Sequence, residues 1–553
     1  MIHKLWYAAL VVLVALLLRA SGAAGLELAP QSLISPAASR HDEAPGSRVM
    51  VSAEAMSDTT ITVTSTDDDY TDGKSKKCSD FPADQCTLRR AINQAYTLSS
   101  GQRPVHIVFD IPTGDEGYDP ALQVWKITLT GTTAHDLREL YGKTIVDGST
   151  QPGGRSDGPK IIVDGQGSKS KGLVLRQNDN EVRGLALQNF RNTHVTLSSD
   201  NNLVEDCWFG LSDDGMALSS GSGTDPEGGS GLAISAGSDN NIVRDNVLAG
   251  FFGAAAAIRG DRNVFSGNLV GTRANGTVPI PAQFDQHPCL AGAWTGGSGI
   301  TVADSDNQIG GPTAAEGNVF AGLFLEVGPT TTQRPAMDVS GDEHLIQNNV
   351  IGLDGNGALV GVCGRGMDFG NAPSDMQVIS NTIVETGLSG ILMNGSTING
   401  NLLRGNIIRR ATAWPGEQGD NNFAEDAIAY GPTVPAPLRN FAPAKVTEIN
   451  GTAVSGTSGA GSDCPRCTVE VFLEDRDTVT EALRSMAVVT SDASGNWNAT
   501  LTQELGADQG LRTMSTVPDT FTIIGLEADT TSRLSGLQVG VRQVLLPLVL
   551  RHR

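Results

Sequence analysis

Two stretches of this chain repeat one short pattern: NNIVRDNVLAG at 240–250 and RNVFSGNLVG at 262–271. Each unit holds an apolar pair or triplet, a polar or glycine step, an asparagine and a second apolar pair. The leading asparagines, Asn241 and Asn263, are 22 residues apart. Short β-type runs separated by turn residues at a fixed period of this size are typical of a solenoid.

The pattern recurs through the central part of the chain. Further units are GLVLRQNDNEVRGLALQNF (172–190), NNLVEDCWFG (201–210), EHLIQNNVIG (343–352) and NLLRGNIIRR (401–410). None has the 3.6-residue apolar period of a helical repeat. The sequence therefore predicts an all-β fold, a right-handed parallel β-helix over 119–440. Stacked coils would bury one continuous apolar column.

The leading asparagines are suited to the corners between strands. Asparagine tolerates left-handed backbone and hydrogen-bonds its own chain. In register, such side chains can hydrogen-bond along the stack. Ordinary solvent-exposed turn chemistry is the alternative interpretation. The predicted ladder consists of Asn180, Asn202, Asn241, Asn263, Asn307 and Asn401.

Composition narrows the classes of partner. The chain has 553 residues, which exceeds one ordinary core, and a formal net charge of −22. An acidic surface disfavours nucleic acid and anionic membranes. No lysine lies between Lys171 and Lys445, so the repeats carry no lysine-based basic patch. Polyanionic glycans would need bridging metal ions.

The first 25 residues have the pattern of a signal peptide. A short basic start, MIHK, precedes the apolar run LWYAALVVLVALLL and the small residues RASGAAG. The apolar run is short for a membrane span, although an uncleaved anchor is the alternative. We expect a secreted, extracellular or cell-surface protein with no transmembrane span after cleavage. Residues 26–58 are interpreted as a flexible leader.

Residues 59–118 resemble a known N-terminal segment. TTITVTSTDDDYTDG (59–73) is followed by KCSDFPADQCTLRRAI (77–92). CTLRRAI resembles the CSLREA motif of secreted bacterial β-helix proteins, with Thr87 in place of Ser and Arg90 in place of Glu. Thr87 is suited to cap a helix whose apolar face is Leu88, Ala91, Ile92 and Ala95. We expect this helix to cover the open end of the β-helix.

Most of the cysteines are candidates for disulfide bonds. Cys78 and Cys86 flank a short loop and are expected to form a disulfide, since a metal pair would lack two further ligands. Cys289 and Cys363 lie in inserts that follow equivalent corners, so a disulfide between them is the second candidate. Cys464 and Cys467 form a CxxC without a thioredoxin-like context, which favours a local disulfide. Cys207, in an apolar strand, is predicted to be a buried free thiol.

Adjacent carboxylates suggest a glycosidase, but only weakly. Asp213 and Asp214 resemble the paired acids of glycoside hydrolysis. Aligning the repeats places them in the same turn as 274–275 and 355–356, which is ordinary turn chemistry. Further polygalacturonase signatures, a Gly-His-Gly and an Arg-Ile-Lys, are absent from the sequence.

A lyase is the other chemistry considered. It would need a base, for which Arg183 is a candidate, and usually calcium held by carboxylates. The repeats contain no His-based metal pattern, because His194, His287 and His344 are isolated. No cofactor is required by the sequence, and calcium is left open. Its candidate ligands are Asp304, Asp306, Asp338, Asp342 and Glu343, whose spacing matches no calcium motif.

After residue 440 the pattern changes. Residues 441–540 alternate apolar and polar positions between Gly, Ser and Asp turns, which predicts a small antiparallel β-sandwich. This segment resembles the Ig-like modules that follow β-helices in secreted bacterial proteins. The tail at 541–553 resembles the LPLVLR ending of exported Chloroflexota-type proteins. It is a sorting or retention signal or, alternatively, a last strand.

Two functions are compatible with these features. The first is a non-catalytic scaffold or adhesin that binds glycans or another surface component. The second is a carbohydrate-active lyase or hydrolase, on the analogy of other β-helices. Three or more carboxylates converging near an arginine would favour the enzyme. A smooth groove would favour the scaffold.

Overall fold

The structure is a computed structural model. The described residues are 58–219, 229–251, 253–278, 298–323, 334–371, 373–412, 425–458, 464–477, 479–518 and 526–538. The predicted signal peptide, nearly all of the leader, the C-terminal tail, Cys289 and His287 lie outside these residues. None of the helices in the described part of the chain is long and apolar enough to cross a membrane.

Three long sheets form the body of the protein, and each regular coil adds one strand to each sheet, in parallel. The predicted right-handed parallel β-helix is confirmed. In spatial order, sheet A consists of Thr59–Val63, Val105–Phe109, Thr144–Asp147, Glu181–Arg183, Leu203–Glu205, Ile242–Arg244, Val264–Ser266, Gln308–Gly310, Leu345–Gln347, Gln377–Ile379 and Leu402–Arg404. Sheet B consists of Tyr118–Asp119, Val124–Thr128, Ile161–Asp164, Leu185–Gln188, Trp208–Phe209, Val247–Leu248, Leu269–Val270, Val319–Phe320, Val350–Ile351, Thr382–Val384 and Ile407–Arg409. Sheet C consists of Lys171–Leu175, Thr193–Leu197, Ser230–Ile234, Ala256–Ile258, Ile300–Val302, Met337–Val339, Met367–Phe369, Ile391–Met393 and Ile428–Tyr430.

The core is a stack of apolar side chains at one register position. Because side chains alternate along a strand, the middle residue of each short sheet A strand points inward. From the fourth strand of sheet A, Glu181–Arg183, onward, these middle residues are at most 1% exposed. They are Val182, Val204, Val243, Phe265, Ile309, Ile346, Val378 and Leu403.

Glycine follows several sheet B strands where the chain turns the corner. Gly271 has φ of +83° and Gly352 has φ of +87°. A Cβ on Gly352 would lie 1.8 Å from the carbonyl oxygen of Val384 in the next coil. The coils therefore approach too closely there for any side chain, which explains the glycine that ends the repeat unit.

The N-terminal end is covered by the α-helix Leu88–Thr97, as predicted. The Thr87 hydroxyl accepts a hydrogen bond from the Arg90 amide at 3.3 Å. The predicted apolar face is at most 1% exposed and belongs to the main core. The helix packs against the first two strands of sheet A. Short 3-10 turns lie at Tyr70–Asp72, Cys78–Asp80, Ala83–Gln85, Ser100–Gln102, Thr133–His135, Gly148–Thr150 and Ala314–Glu316.

Beyond the last coil, two three-stranded antiparallel sheets form the predicted small β-sandwich. They consist of Lys445–Asn450, Ala453–Thr457 and Asn496–Thr500, and of Arg484–Thr490, Thr468–Asp475 and Gln509–Thr516. Their shared core includes Val454, Val469, Val471, Trp497 and Leu511.

The sandwich also packs on the end of the β-helix. Glu470 accepts a hydrogen bond from the Gly405 amide at 3.0 Å. Ile408 pairs with Ala482 in an antiparallel bridge. The last coil is therefore covered as well, which the sequence did not indicate.

The insertions share one place in the connectivity. Between the strands Lys171–Leu175 and Ile428–Tyr430, each of the five longest connections joins a sheet B strand to the next sheet C strand. They fall between Phe209 and Ser230, Val270 and Ile300, Phe320 and Met337, Ile351 and Met367, and Arg409 and Ile428. Residues 412–440 contain the strand Ile428–Tyr430 and the short helix Ala436–Arg439. Sheet C is thus the face flanked by variable segments.

Candidate functional site

Two aspartates lie side by side on the outer face of sheet C. Asp338 and Asp368 are register partners at the centres of neighbouring parallel strands. The residues on either side of each aspartate are fully buried, so alternation turns both carboxylates outward. Asp338 is exposed, and the side chain of Asp368 is 22% exposed.

An arginine and a third carboxylate complete this group. Arg365 donates to Asp368 at 2.9 Å and to Glu425 at 2.6 Å. Glu425 also accepts from the Ser389 amide at 3.0 Å. The Arg365 side chain is 10% exposed, so the charge-assisted hydrogen bonds are largely shielded from water. We call Asp338, Asp368, Arg365 and Glu425 the sheet C acidic group.

The surroundings raise the pKa of both aspartates. For Asp338 the causes are loss of hydration and the negative charge of Asp368, opposed by Arg334. For Asp368 the cause is loss of hydration, opposed by the ion pair with Arg365. Asp368 has a cationic partner in contact, which favours its ionised form, although Glu425 opposes this. Asp338 is affected by the charge of Arg334 but forms no ion pair with it.

General acid–base catalysis of glycosidic bond hydrolysis requires two carboxyl groups in different environments. One must deliver a proton and the other must remain charged. The sheet C acidic group meets this requirement on an accessible surface beside the insert-bearing edge. It also brings Asp368 and Glu425 into contact with one arginine, with Asp338 on the neighbouring strand.

The sequence analysis found only one member of this group. Asp338 was named as a calcium candidate, whereas Arg365, Asp368 and Glu425 were not singled out. A signal was present, because MDV at 337–339 and MDF at 367–369 repeat the same outward aspartate. The arginine and the glutamate come from connecting segments, whose position no repeat alignment predicts.

The five calcium candidates occupy two places in the fold. Asp338 lies on sheet C, whereas the other four lie at the corner between sheets C and A. There Asp304 accepts from the Gly260 amide at 2.6 Å, and Asp342 accepts from the Ser374 amide at 3.0 Å. A hydrogen bond and repulsion from Asp306 raise the pKa of Glu343. These carboxylates tie neighbouring corners together.

Asp213 and Asp214 lie in the turn that the alignment indicated. The Ala274 amide donates to Gly215 at 3.0 Å, and the Gly355 amide donates to Gly276 at 2.8 Å, so equivalent turns stack. Asp214 accepts from Ser212 and from the Met216 amide within its own turn.

Asp213 instead faces sheet B. Both of its carboxylate oxygens lie 3.1 Å from the Lys126 ammonium group, which also lies 3.2 Å from Asp164. Gln188 donates to Asp213 at 2.9 Å. Neighbouring carboxylates raise the pKa of Lys126 although desolvation opposes them. The lysine is therefore a protonated structural partner and not a base.

Arg183 is held by acidic neighbours on sheet A. It contacts Glu181 and lies 3.5 Å from Glu205 and 3.9 Å from Asp147. The role of Arg183 as a catalytic base therefore stays a prediction, and none of these contacts supports it.

The leading asparagines form a buried column. The Asn180 amide donates to the side chain of Asn202 at 2.9 Å, and the Asn241 amide donates to Asn263 at 2.8 Å. Asn307 donates to Nδ1 of His344 at 3.1 Å, so the histidine takes an asparagine position. Farther along, Met376 stands at the next position and its amide donates to Asn401 at 3.0 Å.

A second column was not recognised from the sequence. It uses the later asparagine of each unit, at the corner between sheets A and B. Each side-chain oxygen accepts from the preceding coil at 2.9–3.1 Å. Its members are Asn246, Asn268, Asn318, Asn349, Asn381 and Asn406. The repeat alignment contained this signal, because four of the six quoted units carry an asparagine at that later position.

The cysteines lie as follows. Cys78 and Cys86 are bonded, with Cα atoms 4.7 Å apart, and Cys464 and Cys467 are bonded, with Cα atoms 5.5 Å apart. Cys363 is in a disulfide, and its predicted partner lies outside the described residues. Cys207 is a buried free thiol, and burial raises its pKa to about 12.

An open cleft of about 860 Å³ lies near the N-terminal helix. Its walls include Tyr96 and Tyr141, whose rings meet edge to face at 5.3 Å and are 37% and 38% exposed. Arg176, Asn178 and other polar side chains line the opposite side. Exposed aromatic rings beside hydrogen-bonding groups are suited to sugar rings.

No protein-family model and no curated protein matches the chain. Among solved structures, it is similar to the mannuronan C-5 epimerase AlgE4 A-module of Azotobacter vinelandii, at 12% identity and a TM-score of 0.34, over 63% of this chain and 91% of that one. It is similar to tailspike protein 2 of the Escherichia coli O157:H7 bacteriophage CAB120, at 8% identity and a TM-score of 0.31, over 72% and 61%. The alginate lyase of Paenibacillus sp. FPU-7 follows at 11% identity and a TM-score of 0.25, over 68% and 99%. These likenesses concern the fold and carry no argument about activity.

Proposed function

We propose that this protein is an extracellular glycoside hydrolase whose active site is the sheet C acidic group. The observation that carries the proposal is the pairing of Asp338 with Asp368 on adjacent strands, with Arg365 in contact with Asp368. Asp338 would act as the general acid. Asp368, kept ionised by Arg365, would act as the base or nucleophile.

The charge of the site bears on the substrate. The sheet C acidic group holds three carboxylates and one arginine, and the whole chain carries a formal net charge of −22. A uronate polymer would be repelled unless a cation bridged it. The proposed substrates are therefore neutral or amino-sugar polysaccharides. A lyase is the weaker alternative, because the arginine that contacts these carboxylates, Arg365, is held in ion pairs with Asp368 and Glu425.

The test is turnover on a panel of neutral, amino-sugar and uronate polysaccharides, with and without Ca²⁺. New reducing ends report hydrolysis, and unsaturated uronates report a lyase. Asp338→Asn and Asp368→Asn should each lower the rate by about 10²–10⁴-fold. Asp306→Asn, a corner carboxylate outside the site, is the matched control and should keep the parent rate.

Two outcomes would contradict this assignment. One is hydrolysis that survives both substitutions. The other is hydrolysis that disappears with Asp213→Asn while Asp338→Asn remains active. Circular dichroism on each variant shows that the fold is intact.

The tyrosine cleft favours a second candidate function, glycan binding without turnover. This agrees with the scaffold or adhesin predicted from the sequence, which stays a prediction. Tyr141→Ala should abolish glycan-array binding by the folded chain, with Tyr118→Ala as a control outside the cleft. If the Tyr141→Ala chain still binds the same glycans, the cleft is not the binding site.

A further inference from the structure

Four acidic side chains meet in the C-terminal sandwich where the strand Thr468–Asp475 ends. They are Glu474, Asp475, Asp477 and Glu481, and one oxygen of each lies within 4.8 Å of the others. In the described part of the chain, no other group of at least three acidic, His or Cys side chains is this close. Oxygen ligands at the calcium distance of about 2.4 Å from one centre are at most about 4.8 Å apart.

One member of this group has a buried carboxylate oxygen without a hydrogen-bond partner. Glu474 is 0% exposed. Its Oε2 atom accepts from the Glu481 amide at 2.9 Å and contacts Arg512. Its Oε1 atom is buried and has no hydrogen-bond partner. An unsatisfied buried carboxylate oxygen is costly, and a bound cation would satisfy it.

The other three carboxylates are already oriented by the backbone. Asp475 accepts from the Asp477 amide at 3.2 Å, and Asp477 accepts from the Val479 amide at 2.7 Å. Glu481 accepts from the Arg410 amide at 2.7 Å. Each of these hydrogen bonds uses one oxygen, and the second oxygen of each side chain remains to meet an ion.

The charges around these four side chains favour a divalent cation. Four carboxylates converge, Arg512 forms an ion pair with Glu474, and Arg409 lies near Glu481. A dication would bring the local charge close to neutrality. The ligand set is oxygen only, which suits a hard cation such as Ca²⁺ and not Zn²⁺.

We propose that Glu474, Asp475, Asp477 and Glu481 bind one Ca²⁺ ion, and that this ion fastens the C-terminal sandwich to the last coil of the β-helix. The fastening follows from Glu481, which would share its carboxylate between the ion and the Arg410 amide. The next residue, Ala482, pairs with Ile408 through backbone hydrogen bonds of 2.9 and 3.1 Å. The ion would therefore lie beside the contact between the sandwich and the last coil.

The test is isothermal titration of the full chain with CaCl₂ after removal of metal by EDTA. One site per chain is expected, with a dissociation constant of about 10⁻⁴–10⁻³ M, as in other extracellular modules. Saturating Ca²⁺ should raise the midpoint of thermal unfolding. Asp477→Asn, at an exposed position, should weaken binding by about 10-fold or more, and Glu481→Gln, which retains an acceptor for the Arg410 amide, should do the same.

Asp508→Asn in the same sandwich and Asp306→Asn in the coil corner are the matched controls. Both should leave calcium binding unchanged. The proposal is overturned if the folded parent chain shows no calcium binding at millimolar concentration. It is equally overturned if Asp477→Asn binds like the parent, or if Asp306→Asn is the variant that loses binding.

Discussion

Asp338 and Asp368 lie opposite each other on neighbouring strands of sheet C, yet only Asp368 is in contact with an arginine. This asymmetry lets two identical side chains differ in their readiness to hold a proton. It arises because Arg365 stands three residues before Asp368 and forms an ion pair with it, whereas Arg334 affects Asp338 without forming one. The assignment of acid and base rests on this difference.

The pH profile of hydrolysis should respond to Arg334. The Arg334 charge lowers the pKa of Asp338, while desolvation and Asp368 raise it. Removing the charge with Arg334→Gln should raise that pKa further. A general acid must be protonated, so the alkaline limb of kcat/KM should move to higher pH. Arg262→Gln, at an exposed corner, is the control, and an alkaline limb that stays in place in Arg334→Gln would remove Asp338 from the role of acid.

The N-terminal helix should depend on one buried ion pair. Arg89, in the CTLRRAI motif, contacts Asp68 at 2.6 and 2.9 Å, and both side chains are 1% exposed. Arg89→Met leaves the Asp68 carboxylate buried without its cation and should lower the free energy of unfolding by about 3–5 kcal/mol. Urea unfolding followed by circular dichroism measures this.

The exposed pair Arg176–Glu139 is the matched control for that experiment. Its side chains are 63% and 41% exposed, and the separation is 3.7 Å. Arg176→Met should cost about 0–1 kcal/mol. Equal losses of unfolding free energy in Arg89→Met and Arg176→Met would show that burial does not strengthen the Arg89–Asp68 ion pair.

The second asparagine column should contribute strongly to stability. Asn268 accepts from the Asn246 amide at 3.0 Å and donates to Val243 and Asn318 at 3.0 Å each. Asn268→Ala leaves several buried partners unsatisfied and should cost about 2–4 kcal/mol, measured by urea unfolding. Asn356→Ala, at an exposed turn, should lower the free energy of unfolding by at most about 0.5 kcal/mol.

Acid should destabilise the protein through His194. Phe190, Phe209 and Phe251 pack around its ring, and burial lowers its pKa from 6.5 to about 3. Below pH 6.5 His194 binds a proton in the unfolded chain, whereas in the folded chain it stays neutral until about pH 3. Stability therefore falls as the pH falls through this window. The loss attributable to this group is roughly 4–5 kcal/mol.

His194→Phe removes the titration and should flatten this part of the stability–pH curve. Chemical unfolding at several pH values, compared between parent and variant, measures the difference. A parent curve with the same slope as the variant between pH 6.5 and pH 3 would mean that His194 is protonated in the fold.

Repetition made the fold predictable. Each coil repeats the same inward residue and the same corner asparagine, and so the period, the inward stripe and the helix beginning after Thr87 follow from local chemistry. His344 shows the limit of this reasoning. It takes an asparagine position in the column by offering a ring nitrogen, which no residue-type pattern predicts.

The candidate site was predictable only in part. Asp338 was noticed, but as a calcium ligand grouped with acidic residues nearby in sequence. The structure separates it from them because strand and corner residues of one coil face different directions. Asp213 was examined for its neighbour Asp214, whereas its contact in the fold is Lys126, which lies 87 residues earlier.

The sequence by itself determined the parallel β-helix, its N-terminal helix and its C-terminal β-sandwich, because each is specified by periods and caps within short segments. Only the tertiary structure decided which carboxylates meet. Stacking brings Asp338 beside Asp368 and connecting segments bring Arg365 and Glu425 to them. It also seats the sandwich on the last coil, where Glu481 reaches the Arg410 amide. These contacts depend on distances between segments far apart in the chain, which a local pattern does not contain.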